Sequence, residues 1–434
     1  MKNLTYLNID WNKISEKSKI ILSGMKHLKI LAASGSEIDK FSRLDQLTEL
    51  NVNWNRLKDE DVESIGNLKN LTLLELSGNE ISKNSMKFIS QLSELTKLSV
   101  GLNSIENEGI NSIINLSKLT CLNIINANIT SEGVKLIGKL SNLTILDISG
   151  NLIGAEGGQY IGELKNLKTL VASDNELGVL GAKSIGEMNQ LTSLCLIGNS
   201  IGNEGAKYIS QLSQLTDLDL GKNEIGDEGF KLLAKLEKLT NLDLVSNNIS
   251  DLSSTGQLGL LNCLDVRKNK IEDKGIRNIC QLSGLQSLRL CANPITSEGA
   301  KILSEMVQLT NLSISETHID DEGAKFIAQL TTLKYLDIST KRITANGVKF
   351  ICQLSKLISL DINWNNIGDE GVLYISRMQQ LETLNAVYCN IGLEGAKLLS
   401  EMEQLTVLDV KINRIPGEGI QLLENIARFK SLVV

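Results

Sequence analysis

The sequence predicts an α/β solenoid, with a parallel β-sheet on its concave face and short helices on its convex face. Three observations carry this: one pattern returns every 24 residues, an apolar period of two opens each copy, and a spacing of three closes it. Copies begin at Leu4, Leu28, Leu47, Leu71, Leu95, Leu119, Leu143, Leu167, Leu191, Leu215, Leu239, Leu261, Leu285, Leu309, Leu333, Leu357, Leu381 and Leu405, and a truncated one begins at Phe429. Eighteen copies and a stub make 1–434 a single elongated domain instead of two or three globular ones.

Seven positions of a copy are apolar, as in Leu95, Leu98, Val100, Ile105, Ile110, Ile113 and Leu116. The alternation of Leu98 and Val100 is that of a short strand, and the spacing of Ile110, Ile113 and Leu116 is that of a short helix. One copy cannot bury these side chains alone, so neighbouring copies must stack.

The ninth position turns the corner. Asn stands there in 13 of 18 copies, from Asn12 and Asn55 to Asn365 and Asn413. Its amide both donates and accepts, so it can satisfy the backbone of adjacent turns as a ladder. Ser36, Thr317 and Cys389 can do part of that work, whereas Ala127 offers nothing and Lys341 would bury a charge. Local irregularity is expected at both.

On the outer side, Asn, Ser or Asp precedes Glu-Gly at Asn107, Ser131, Asn203, Asp227, Ser297, Asp321 and Asp369. These residue types suit helix N-caps followed by a carboxylate near the positive end of the dipole. Lys follows Glu by three in Glu132/Lys135, Glu204/Lys207, Glu228/Lys231, Glu298/Lys301, Glu322/Lys325 and Glu394/Lys397, a stripe of weak surface pairs.

The recurrent LxxLxIxxNxIxxEGAKxIxxL resembles the leucine-rich repeat, and in particular the ribonuclease-inhibitor-like subclass. It is similar to the 24-residue bacterial repeats called GALA. The resemblance covers nearly the whole chain and implies a horseshoe or superhelix that recognises proteins, a bacterial effector among the candidates. An F-box-like helical start and a ligase domain, which some effectors of this class carry, have no counterpart here, so a ubiquitin-ligase role has no residues to rest on.

Two copies depart from the period. The copy at 28–46 has only 19 residues, and that at 239–260 has 22 and lacks the Glu-Gly-Ala-Lys segment, so a loop or tighter turn is expected there. Neither end carries a shielding segment, so self-association through bare strand edges is expected.

Composition excludes several classes. No apolar run reaches the roughly 20 residues of a membrane span. The net charge of −7, without a basic block, argues against nucleic acid. Seven scattered cysteines without CxxC fit a reducing compartment, the cytoplasm or the cytosol of a host. The two histidines, His27 and His318, lie far apart, and no phosphate loop, HExxH or nucleophile elbow occurs. No enzyme, cofactor or metal is therefore expected.

The working surface is read from positions three, five, seven and eight, which point away from the core. All three tryptophans, Trp11, Trp54 and Trp364, occupy the eighth position, as does Tyr388. Tyr335, Trp364 and Tyr388 are expected to form one cluster, and Tyr6, Trp11 and Trp54 another. Such rings are the usual anchors of interfaces; the alternative is that each lies flat over the neighbouring turn. The fifth position holds Asp147, Asp219, Asp243, Asp265, Asp337, Asp361 and Asp409, interrupted by Arg267, Lys268 and Arg289. This row calls for a protein partner with a basic patch, unless the arginines bridge Asp243 and Asp265 within the sheet. Aromatic rings beside carboxylates would also suit a glycan, and uncapped ends would suit a structural module of a larger protein.

Overall fold

The computed structural model describes residues 3–39, 41 and 43–434. It divides into two compact units, 1–223 and 224–434. In the first unit ten strands of three residues, from Tyr6–Asn8 to Asp217–Asp219, pair in parallel, each with the next. The second unit repeats the arrangement with nine, from Asn241–Asp243 to Ser431–Val433. Register follows the repeat: Leu50 faces Leu74 and Leu74 faces Leu98. Each unit contributes eight short α-helices among the described residues.

Leu95, Leu98, Val100, Ile105, Ile110, Ile113 and Leu116 are all buried, as the two periods require. The ninth-position ladder forms. Asn199 Oδ1 accepts from the backbone N–H of Asn175 and Leu177 in the preceding copy, at 3.1 and 3.2 Å. Its Nδ2 donates to the carbonyls of Ala172, Leu196 and Ile197.

The expected distortion at Ala127 is absent. Its own N–H donates to Asn151 Oδ1 at 3.0 Å and the strand Cys121–Asn123 keeps its register on both sides. What is lost lies one copy back: Asn103 and Ile105 lack the side-chain acceptor that their counterparts have. At Lys341 the chain does deviate, and the charge is not buried. Thr340 occupies the inward place instead, and Lys341 turns out to solvent.

The residue before Glu-Gly is not the cap. It lies in the first helical turn. In two of these helices the residue before it caps, Thr296 accepting from the N–H of Glu298 and Asp320 from those of Glu322 and Gly323, whereas the helices of Asn107, Asn203 and Asp369 start one residue earlier, after Ile105, Ile201 and Ile367. The carboxylates read as caps reach instead to the next copy. Asp321 takes the N–H and hydroxyl of Thr344, and Asp227 those of Ser250; Asp273, at the corresponding place, takes those of Thr296. Asp369 takes the N–H of Gly392 at 2.6 Å. At three of these contacts the glycine of the next helix leaves room for the carboxylate, since a β-carbon on Gly299, Gly347 or Gly395 would collide with Asp273, Asp321 or Asp369.

Of the surface pairs, Glu204–Lys207, Glu298–Lys301, Glu322–Lys325 and Glu394–Lys397 close at 2.7, 3.5, 3.2 and 2.7 Å. Lys135 lies over the ring of Tyr160 instead. In the short copy at 239–260 a single 3₁₀ turn, Thr255–Gln257, replaces the helix.

Candidate functional site

A backbone rule governs the eighth position. In 17 of 18 copies its φ is positive, including Trp11 at 58°, Trp54 at 59°, Trp364 at 63° and Tyr388 at 55°. Glycine adopts this conformation freely, and Gly35, Gly78, Gly150 and Gly198 stand there in four copies. Any other residue costs about 1–2 kcal/mol at such a φ. A ring at this place is thus retained against local preference, and strained residues of this kind cluster at functional sites.

The fifteenth copy, 333–356, places its left-handed residue one position late, at Lys341. Lys341, Trp364, Tyr388 and Ile412 therefore form one exposed column on the turns that follow four successive strands. The rings of Trp364 and Tyr388 meet with centroids 4.8 Å apart and planes inclined at 37°. The Lys341 ammonium lies 5.6 Å from the centroid of Trp364. Asn366, Asn390 and Arg414 border the depression beside them. Trp364, Tyr388 and Ile412 are 46, 55 and 66 % exposed, so the column presents its apolar surface outward.

The other aromatics part company from this pair. Tyr335 opens its strand and lines a separate depression with Arg267, Arg289 and Asp337, so the expected cluster of three is a cluster of two. Trp11 and Trp54 do not meet Tyr6 in a ring contact. Trp11 covers Gly35, where a β-carbon would overlap its ring, and Trp54 covers Gly78 in the same way. In the first unit the rings thus lie over the neighbouring turn, while Tyr6 is exposed on its strand.

The basic interruption of the acid row is internally matched. Arg267 Nε stands 2.8 Å from both oxygens of Asp265, and its Nη2 is 2.6 Å from Oδ2. Arg289 Nη1 approaches the same Oδ2 at 3.5 Å. Both arginines converge on Asp265, which is buried, and the charge of Asp243 also acts on Arg267. The hydrogen bond to Asp265 raises the Arg267 pKa. Lys268, at its own left-handed position, is exposed.

Asp337 and Asp361 lie opposite each other on adjacent strands. Asp337 accepts from the Ser313 hydroxyl at 2.7 Å, and Asp361 from the Ser339 hydroxyl at 2.8 Å and the Asn385 amide at 3.2 Å. Burial, with the charge of Asp337 adding to it, raises the Asp361 carboxyl above its ordinary value. The seven thiols are all free. Burial pushes Cys280 to about 11 and Cys352 and Cys389 to about 12, which leaves them protonated and inert as nucleophiles at neutral pH.

Sequence reasoning placed Trp364 and Tyr388 and missed Ile412 and Arg414. Ile412 shares their column, so the position itself was the signal. Lys341 was noticed for its charge and not as a member of the column, because the one-residue slip hides it.

Six segments, 47–66, 139–162, 212–234, 260–280, 308–328 and 353–376, match the family model described as Leucine Rich repeat. No curated protein sequence matches the chain. Among solved structures, a leucine-rich-repeat protein of Leptospira interrogans is 26 % identical, with a TM-score of 0.56 over 88 % of this chain and 96 % of that one. A TLR13–ssRNA13 complex is 22 % identical, with a TM-score of 0.61 over 95 % of this chain and 63 % of that one. The repeated pattern, the parallel sheet and these matches define the class: the chain is a leucine-rich-repeat protein. Among the described residues no helix is long and apolar enough to cross a membrane.

Proposed function

We propose that this protein is a non-enzymatic scaffold that binds a protein partner through its sheet side, with Trp364 and Tyr388 as anchors. The observation that carries the reading is the exposed, stacked pair on left-handed backbone, in a chain with 3 % aromatic residues. Two large rings that could pack inward instead hold each other in solvent, at a conformational cost, and such rings dominate interface energetics. The neighbouring carboxylates Asp337 and Asp361 favour a partner with a basic patch beside its apolar contact. TLR13 is complexed with RNA; a net charge of −7 and an acid row favour a protein ligand here.

The Glu-Gly-Ala-Lys segments support the ribonuclease-inhibitor-like, GALA-type subclass, and with it a bacterial effector. Free, protonated thiols support a reducing compartment, the cytoplasm or a host cytosol. The test is quantitative affinity capture from a cell lysate with the intact chain and a Trp364→Ala/Tyr388→Ala variant whose circular dichroism is unchanged. Proteins enriched by the intact chain alone support the reading. Equal enrichment by both variants overturns the site.

A further inference from the structure

The copy at 333–356 keeps the 24-residue length, yet its left-handed residue is Lys341, one place late. Thr340 fills the inward place and its hydroxyl approaches Asn365 Oδ1 at 3.4 Å. Where the turn slips, a depression of about 850 Å³ opens, and Asp337, Asp361, Lys341 and Trp364 share its lining. Neither carboxylate has an ion-pair partner among the described residues. Arg342 and His318 border the same depression without pairing to either acid. Lys341 likewise has no carboxylate partner and rests its ammonium over the Trp364 ring.

We propose that the protein partner inserts an arginine into this depression, its guanidinium between Asp337 and Asp361 and its plane against Trp364, and that Lys341 is the placeholder cation it displaces. The inference rests on the protein-binding reading above. Two adjacent carboxylates repel each other, and a cation between them removes that repulsion. Arginine fits better than lysine because its planar fork serves carboxylates while its flat face stacks on indole. Lys341 holds the ring but does not reach the acids, so it fills one half of the site and leaves the other half unmatched.

The experiment follows the three indole N–H signals by NMR of the full chain, with the Trp364 signal assigned by its loss in Trp364→Phe. The probes are a blocked Gly-Gly-Arg-Gly-Gly peptide and its citrulline counterpart, which has the same shape without the charge. The arginine peptide is expected to move the Trp364 signal saturably, and the citrulline peptide to leave it in place. Lys341→Ala should tighten arginine-peptide binding by about two- to fivefold, because the competing cation is gone. Asp337→Asn/Asp361→Asn should abolish the shift, and the fold tolerates Asn at this place, since Asn51, Asn123 and Asn385 occupy it in regular strands. Equal shifts by both peptides, retained binding in the double Asn variant, or weaker binding in Lys341→Ala would overturn the inference. Capture of a lysate partner that needs Trp364 and Tyr388 but is indifferent to the double Asn change would keep the anchor pair and overturn the arginine alone.

Discussion

Asp321 accepts both the backbone N–H and the hydroxyl of Thr344, at 2.7 and 2.6 Å, from a helix one copy away. Thr344 in turn caps the next helix by accepting from the N–H of Asn346 at 3.2 Å. The carboxylate therefore orients the cap instead of being one, and it ties successive helices together directly beside the asparagine ladder, where the preceding residue, Ile343, donates its N–H to Asn365.

Asp321→Ala should destabilise the second unit by about 1–2 kcal/mol, since it removes two charge-assisted hydrogen bonds near the surface. Asp321→Asn should cost less, because Asn107 already serves Thr130 with its amide, accepting from the N–H and donating to the hydroxyl. Denaturant midpoints of the two variants give the comparison.

The ladder predicts a larger effect. Asn199→Ala strips two N–H groups and three carbonyls of their partner in the interior, which should cost about 3 kcal/mol or more. The reverse change, Ala127→Asn, should stabilise by about 1 kcal/mol by supplying Asn103 and Ile105 with the missing acceptor. A fall in the midpoint for Ala127→Asn would show that the packing around Ala127 has no room for the amide.

Two sets of carboxylates make opposite contributions as pH changes. Asp59 and Asp227 are held below the ordinary 3.8 although burial opposes it, by hydrogen bonds from Ser82 and Ser85 and from Asp251 and Ser250; Asp320 is held there chiefly by the Ser297 hydroxyl. Their stabilisation is complete above 3.8 and is lost as pH falls below it. Asp361, held above 3.8 by burial, acts in reverse: the folded state binds its proton more tightly, and stability drops as pH rises through its value. Asp361→Asn should therefore raise the unfolding midpoint at neutral pH, with the advantage closing as pH falls to 3.8. An advantage that does not depend on pH would refute the electrostatic origin.

Trp364→Gly separates display from stability. Relief of the left-handed backbone, about 1–2 kcal/mol, roughly offsets the lost ring contact and the entropy of glycine, about 0.5–1 kcal/mol. Unfolding midpoints should stay within about 1 kcal/mol of the parent while partner capture is lost. A large destabilisation would mean that the ring serves the fold.

Strands, helices and the asparagine ladder could be read from the chain because each repeats in phase, so Leu98, Asn199 and Ile110 announce their places many times over. The helix caps lie one or two residues before the expected places, for a physical reason. Asp, Ser and Asn suit both a cap and an acceptor for the next copy, and the partner, Thr344 for Asp321, lies 23 residues away. Glycine at Gly35, Gly78, Gly150 and Gly198 carried the left-handed rule in plain view. It set the eighth-position side chains on the turn after the strand and parted Trp364 from Tyr335. The slip at Lys341 leaves no trace in the repeat length; the charge at the ninth position marks the irregularity, but not its form as a one-residue shift of the left-handed turn.

The left-handed column also acts as a ruler. Its side chains recur about every 4.8 Å, the spacing of paired strands, whereas an α-helix laid along it would repeat about every 5.4 Å. The two scales drift apart by about 0.6 Å per copy and fall half a step out of phase after about four. Lys341, Trp364, Tyr388 and Ile412 are three steps from end to end, a drift of about 1.8 Å, so a helical partner stays within half a step of this column along its length and passes that limit on a longer one.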